Sequence, residues 1–305
     1  MELRQLRYFV EIAAAGSLRE ASNRLHVAQP ALTRHLRSLE GELGVELCAR
    51  HARGIRLTPA GTRFLDHATA IIRQLNEIRS LVSEDVESPS GIATIGAPGS
   101  LGRHLFGGVA NSIEKNFSRI ALRVVEGGAY TLLAALDSRR VDIAVMVDPD
   151  SRTGFTLEPL VTEPVYLVGG RSDERFSAEN IEISELQPFP LATFGRASGP
   201  QKIFDHAAAK AGVSLNIAYE LESLDVIKDF VRRGLAYALL PHSSIFEELK
   251  NHKFNVTRLN GIGITRTLIM REDLAGDPVA EVVSEIIRKE INSLISSGVF
   301  GQESA

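Results

Sequence analysis

The stretch LHVAQPALTRHLRSLE, residues 25–40, constrains this chain more than any other. Leu32, Leu36, Leu39 and Leu43 recur at spacings of four, three and four, which predicts a helix that buries a leucine stripe. Pro30 sits where a first helical turn tolerates it, and Gly44 supplies a terminator. At about 100° per residue, Gln29, Thr33 and Arg37 line up away from the leucines, with Arg34 adjacent. Such a helix packs on a small core with one face and shows hydrogen-bonding side chains with the other.

Its neighbours predict what it packs against. Leu3, Leu6, Val10 and Ala13 recur at helical spacing up to Gly16. Ser17 and Glu20 form a capping-box pattern that opens a second, short helix, continued by Ala21 and Leu25. Ala28 is a poor N-cap for the third helix, a loss of about 0.5–2 kcal/mol that packing must offset. RHARGIRLT (50–58) reads as a hairpin or wing. From Pro59 to about Val86, Leu65, Ala68, Ile72, Leu75, Ile78 and Val82 form a long, narrow seam suited to a partner helix, which implies dimerisation. ESPSG (87–91) breaks the period as a linker.

Charge is divided between the two ends. Residues 1–60 hold nine Arg, no Lys and six Glu, a net +3, so the rest carries −7 of a chain total of −4. A basic module ahead of an acidic body suggests a localised polyanion contact. On the third helix, Gln29 suits adenine edges, Arg34 and Arg37 guanine edges, and Thr33 either a base or a phosphate. A merely solvated helix face would show the same stripe, but not the added wing arginines Arg50, Arg53 and Arg56.

Beyond Gly91, strand-like segments (92–97, 121–126, 143–147, 215–221, 236–240) alternate with helical ones, the pattern of an α/β body with mostly parallel sheets. Two strand–helix–strand units imply two lobes with a cleft between them. A lone cysteine, Cys48, excludes an internal disulfide framework. No run reaches membrane-span length, and the amino terminus lacks an export signal, so the expected location is the cytoplasm, with no membrane contact. GxSxG, GxxxxGK, HExxH and zinc-spaced Cys or His pairs are absent, so neither an enzyme nor a metal or cofactor is expected. His51 near Cys48 lacks a visible third partner, which leaves a hydrolase a remote alternative. The stronger alternative is a stand-alone solute-binding protein, which would explain the lobes but not residues 1–86.

Through LRYFVEIAAAGSLREASNRLHVAQPALTRHLRSLEGELGVELCAR, GIRLTPAG and, more loosely, VDIAVM and ESLDVIKDFVRRGLAYALLP, the sequence resembles the LysR-type transcriptional regulators. The resemblance implies an α/β chain: a winged helix-turn-helix over 1–58, a dimerising linker helix over 59–88, one effector-binding lobe from 91–161 with 267–299, and a second from 162–266. It also implies a homodimer or homotetramer, promoter-region double-stranded DNA as partner, and contact with RNA polymerase. A small effector, a carboxylate or another anion, is expected between lobes that are similar to periplasmic binding proteins. ATIGAPGS and HVAQPALTRHL look closest to the nitrogen assimilation and cyanate branch.

Carried across residue by residue, the DNA-facing positions are Gln29, Pro30, Thr33, Arg34 and Arg37, with Arg50 and Arg53 near the wing. Thr33 stands where Ser is common, and Cys48 where Phe is frequent; we assign Cys48 no function. For the effector, Ser100 is placed to cap the helix after the first strand of the body, making Pro98, Gly99, Ser100 and Leu101 candidate contacts. EGGAYT departs from the family's EGxS turn, with Ala129 at the Ser position and Thr131 the nearest substitute hydroxyl, so the shape of the effector stays open. Arg196 and Ser198 lie on the matching loop of the second lobe. Ser223 is first a helix cap and secondarily a contact.

Overall fold

The computed structural model describes residues 1–51, 54–82, 89–147, 149, 151–173, 175–176, 178–194 and 199–301. Met1–Ile92 with Asp137–Arg140 form one compact unit; Ala93–Leu136 and the chain from Val141 onward form the other.

The first unit opens with α1 (Leu3–Ala15), α2 (Leu18–Leu25) and α3 (Gln29–Leu43). The hairpin β1 (Cys48–His51) and β2 (Gly54–Leu57) follows, then α4 (Pro59–Val82). Leu6, Phe9 and Ile12 of α1, Leu18 and Ala21 of α2, Leu32, Leu36 and Leu39 of α3, Leu47 and Ala68 share one buried core. The stripe expected on α1 is thus displaced: Val10 and Ala13 are only partly buried, because the aromatic ring of Phe9 takes the centre against Phe64. Gly16 and Gly44 terminate α1 and α3 in the left-handed conformation, which glycine adopts without steric cost. Ser17 Oγ accepts from Glu20 N at 3.4 Å, whereas the Glu20 carboxylate engages Arg24 at 3.1 Å, so only half of the expected capping box forms. The expected continuation of α4 to Val86 and the first two residues of the linker, 87 and 88, lie outside the described residues.

The second unit runs β3 (Gly91–Ala97), α5 (Gly99–Asn116), β4 (Ile120–Glu126), α6 (Ala129–Asp137) and β5 (Ile143–Val147). It continues through β6 (Phe155–Gly170), β7 (Asn180–Ile181), β8 (Leu191–Thr193), α7 (Gly199–Lys210), β9 (Ile217–Glu220) and α8 (Leu224–Arg232). β10 (Ala238–Pro241), α9 (His242–Lys250), β11 (Phe254–Arg271) and α10 (Pro278–Ser296) complete it. One sheet has the order β10-β6-β11-β5-β3-β4, with β7 beside β11, and β8 pairs with β9 separately.

The expectation of mostly parallel sheets needs correction. β6 and β11 pair antiparallel over almost their whole length, and each has a further antiparallel neighbour, β10 and β5 respectively. Pro159 and Pro164 inside β6 hid this strand, since proline within an apolar run argues against a strand. The two strand–helix–strand units exist as β4-α6-β5 and β9-α8-β10, yet β3 intervenes between β4 and β5, and β9 and β10 belong to different sheets.

Both faces of the large sheet are covered, which explains why its strands read as unbroken apolar runs. Along β5, Ile143 and Val145 join the core under α5 and α10, whereas Ala144 and Met146 join the core under α6. Along β6, Val165 and Leu167 face the core that holds Phe204 of α7, and Val168 faces the core that holds Ile227 and Val231 of α8. The register of β6 against β11 shifts between Arg258 and Gly263, with Gly261 at φ 66°, a bulge conformation that favours glycine. Among the described residues no helix is long and apolar enough to cross a membrane.

Candidate functional site

In the first unit, α2 ends at His26 in the left-handed conformation, and Val27 N donates to Ser22 O. That tight turn swings the chain into α3, whose N-cap Ala28 makes no side-chain cap bond, as its sequence requires. With Leu32, Leu36 and Leu39 buried, Gln29, Pro30, Arg34 and Arg37 are exposed. Thr33 is half-buried, and its Oγ1 donates to Gln29 O at 3.1 Å, so its methyl group and oxygen lone pairs remain for a ligand. Arg34 and Arg37 have no ion-pair partner among the described residues, in contrast to Arg24, which is bonded to Glu20 and Glu11. Two cations left without counter-charges on one helical face form a surface for a polyanion.

The hairpin is tied to this helix by a residue the sequence reading missed. Glu40 Oε1 of α3 accepts from Leu47 N at 2.9 Å and Cys48 N at 3.1 Å, fixing the start of β1. Ile55 N donates to Gly16 O, holding β2 against the α1–α2 turn. Gly61 is required by packing: a Cβ there would meet Leu47 O at 2.0 Å. Arg50 lies on β1 opposite Ile55, and Arg53 lies outside the described residues. Burial and then the Glu40 charge push the Cys48 thiol up to about 11, which suits an inert packing role.

In the second unit, a cavity of about 700 Å3 opens between the β3–α5, β4–α6, β8–α7 and β9–α8 connections. Pro98, Gly99, Ser100, Ala129, Thr131 and Ser223 line it, as anticipated. Leu101 does not: it is fully buried in the core under α5, because the helix starts two residues earlier than a Ser100 cap requires. Pro98 is the N-cap, without a side-chain cap bond, which leaves the Ser100 hydroxyl on the cavity wall. Ser223 occupies the N-cap position of α8, also without a side-chain cap bond. Arg196 and Ser198 lie outside the described residues. α7 starts immediately after them at Gly199, whose Cα approaches β5 so closely that a Cβ would meet Val147 O at 3.1 Å.

The starts of α5, α7 and α8 therefore all border one cavity, and helix starts carry partial positive charge. Its floor holds a polar group no local pattern announced. Arg266 of β11 and Glu163 of β6 are both fully buried, with Nε donating to Oε1 at 2.6 Å. Ser243 N donates to Glu163 Oε2 at 2.8 Å, and Arg266 Nη2 donates to Ser243 Oγ at 3.1 Å. The Glu163 carboxylate thus answers the start of α9, while the guanidinium of Arg266 borders the cavity. Thr193 donates to Gln201 Oε1, and Gln201 Nε2 donates to Asp205 Oδ1 at 2.7 Å, joining β8 to α7 on the cavity wall. Arg103 of α5 lies 3.8 Å from Asp225 of α8. His104 contacts Ser243 O at 3.1 Å through Nε2; burial lowers its pKa below the ordinary range, the Ser243 carbonyl opposing.

Two family models match the chain. The model of the bacterial regulatory helix-turn-helix protein, lysR family, covers residues 3–62, and the LysR substrate binding domain covers residues 87–292. The chain belongs to the LysR family. Among curated relatives, the nitrogen assimilation regulatory protein nac of Escherichia coli K12 is 28% identical over 298 residues, covering 96% of each chain. The transcriptional dual regulator GltC of Bacillus subtilis 168 is 30% identical over 248 residues, covering 81% of this chain and 83% of GltC. A full-length OxyR variant from Pseudomonas aeruginosa shares the fold at a TM-score of 0.74 and 23% identity, covering 95% of this chain and 97% of that one. Full-length CbnR complexed with its target DNA matches at a TM-score of 0.68 and 23% identity, covering 95% and 100%.

The LysR-family chain is a DNA-binding transcriptional regulator with an effector-binding domain, and its relatives carry regulatory names. The amino-terminal helix-turn-helix match decides against a stand-alone solute-binding protein. The nac match agrees with the resemblance to nitrogen assimilation regulators, at a modest 28% identity.

Proposed function

We propose that this regulator reads promoter-region DNA through Gln29, Pro30, Thr33, Arg34 and Arg37, with Arg50 and Arg53 on the wing, and responds to a small effector carrying an anionic group. The observation that carries the effector reading is the meeting of three helix starts around one cavity, each offering first-turn amides. Pro98, Gly99, Ser100, Ala129, Thr131 and Ser223 are its contacts, joined by Arg196 and Ser198 from the loop before α7. Arg103 and Arg266 also line the cavity, each beside a carboxylate of the chain. The cavity belongs to two lobes, 91–161 with 267–299 and 162–266, behind a winged helix-turn-helix at 1–58 and a linker helix at 59–88.

The seam of α4 holds two copies together, and dimers pair into tetramers. Paired recognition helices then favour partly palindromic sites with half-sites roughly 34–36 Å apart or a multiple of it. Effector binding shifts the equilibrium between arrangements only in so far as its affinity differs between them. The chain acts in the cytoplasm, beside RNA polymerase, by binding and without a catalytic step.

The test is selection of genomic fragments by the purified full chain, followed by fluorescence anisotropy on the selected duplexes at two salt concentrations. Partly palindromic sites whose affinity falls steeply with salt support the reading; binding without sequence preference overturns it.

A further inference from the structure

The cavity belongs to the domain matched by the substrate-binding family, so an occupant is given and its charge is the open question. Several basic groups on or near the wall are already answered by the chain. Arg266 is paired with Glu163, and Arg103 lies beside Asp225. Two of the neighbouring helix starts also have internal anions close by: Glu163 accepts from Ser243 N at the start of α9, and Glu126 lies against the start of α5. The latter approach is close enough that a Cβ on Gly99 would come within 2.6 Å of Glu126 Oε1.

Among the described residues the balance then falls on the acidic side. Glu126 at the end of β4 and Glu222 just before α8 both line the cavity. Neither has a hydrogen-bonded or ionic partner among the described residues. Tyr130, 79% exposed and the residue that follows the alanine replacing the family's serine, lines the cavity as well. An aromatic ring and carboxylates without counter-charges are the groups that receive an ammonium. The start of α8 carries Asp225 in its first turn, whereas α7 has no acidic residue there, so the start of α7 remains for an acidic group.

We propose that the effector of this chain is an amino-acid-like zwitterion, its amino group received by Glu126 and Glu222 with the ring of Tyr130, and its acidic group by the start of α7. The inference rests on the reading of this cavity as the effector site. The departure EGGAYT then fits this ligand class: Ala129 lacks the family's hydroxyl, and Tyr130 next to it adds a ring to the cavity lining.

The experiment uses the full chain and three matched sets of probes: the protein-forming α-amino acids, their 2-oxo acids, and their decarboxylated amines. Thermal-shift screening is followed by calorimetric titration. An amino acid should bind at least about tenfold more tightly than its 2-oxo acid and its amine, the worth of one charge-assisted contact. Glu126→Gln should remove most of that preference without weakening the 2-oxo acid, and Glu222→Gln should reduce it by a smaller factor. Equal binding of amino and 2-oxo acids, or a preference untouched in both variants, overturns the zwitterion assignment while leaving the cavity as the site. Ser100→Trp, which sets a bulky ring on the cavity wall, should abolish binding. Amino-acid binding that survives it overturns the cavity reading itself, and no binding across all three sets overturns the proposed class.

Discussion

The helix-turn-helix unit and the effector-binding unit solve the problem of displaying polar groups in opposite ways. In the first, one short helix carries the display: Arg34 and Arg37 stand exposed on α3, a half-turn from the leucines that anchor it. In the second, the cavity wall is assembled from connections far apart in the chain, and a strong charge at its floor, Arg266, is buried against a partner 103 residues away. A face built on one element tolerates variation of its neighbours, whereas a wall built from many depends on each strand's register. Loss of a residue should therefore cost binding in the first unit and stability in the second.

The largest effect that can break this contrast is at the cavity floor. Glu163→Ala leaves the Arg266 guanidinium buried without its counter-charge and should destabilise the second unit by about 3–5 kcal/mol. Urea unfolding followed by circular dichroism measures it, and duplex affinity under native conditions should change little; a stable variant would mean that the floor is solvated. Next, Arg34→Ala should lower discrimination between selected and scrambled duplexes by about 1–3 kcal/mol with the unfolding transitions unmoved. An equal loss on all sequences would assign Arg34 to a phosphate.

Ser17→Ala sharpens the comparison within the first unit, since its hydroxyl accepts from Glu20 N without the reciprocal half of the box. Its cost should be about 0.5–1 kcal/mol, at the lower end for an N-cap, read as a shift in urea midpoint. The smallest effect concerns His104. Its folded pKa lies below the ordinary 6.5, so the unfolded chain binds more protons as pH falls through that value. This histidine's contribution is thus fully present above the unfolded pKa and declines below it. His104→Asn should narrow the stability difference between pH 7.5 and 5.5; an unchanged difference would show that the proton goes elsewhere.

Much of the first unit was legible because its information is local. Helix spacing, Gly16, Pro30 and Gly44 each act within a turn or two, so α1 to α3 and the exposed side of α3 follow from the stretch itself. The α1 stripe was read one position off because spacing alone does not weigh Phe9 against Val10. Glu40 escaped notice because its carboxylate serves the backbone of Leu47 and Cys48, and a glutamate on a helix looks solvated until that contact is seen. In the second unit, a helix start near Ser100 and one after Ser223 were recognisable, and six of the named residues line the cavity. Leu101 was misplaced because the helix starts two residues before the position a Ser100 cap implies, enough to turn a side chain from wall to core.

By itself, the sequence determined the order of parts, the basic amino-terminal module, the polar side of α3 and the family, because these depend on spacing within short segments and on composition. Tertiary structure alone decided that β6 and β11 cross the body antiparallel, that Glu163 and Arg266 meet beneath the cavity, and that Glu126 lies against the start of α5. The physical reason is that strand pairing and buried charge are non-local. A strand carries no mark of its partner, and a charged residue can be buried only where the fold delivers an opposite charge within hydrogen-bonding distance.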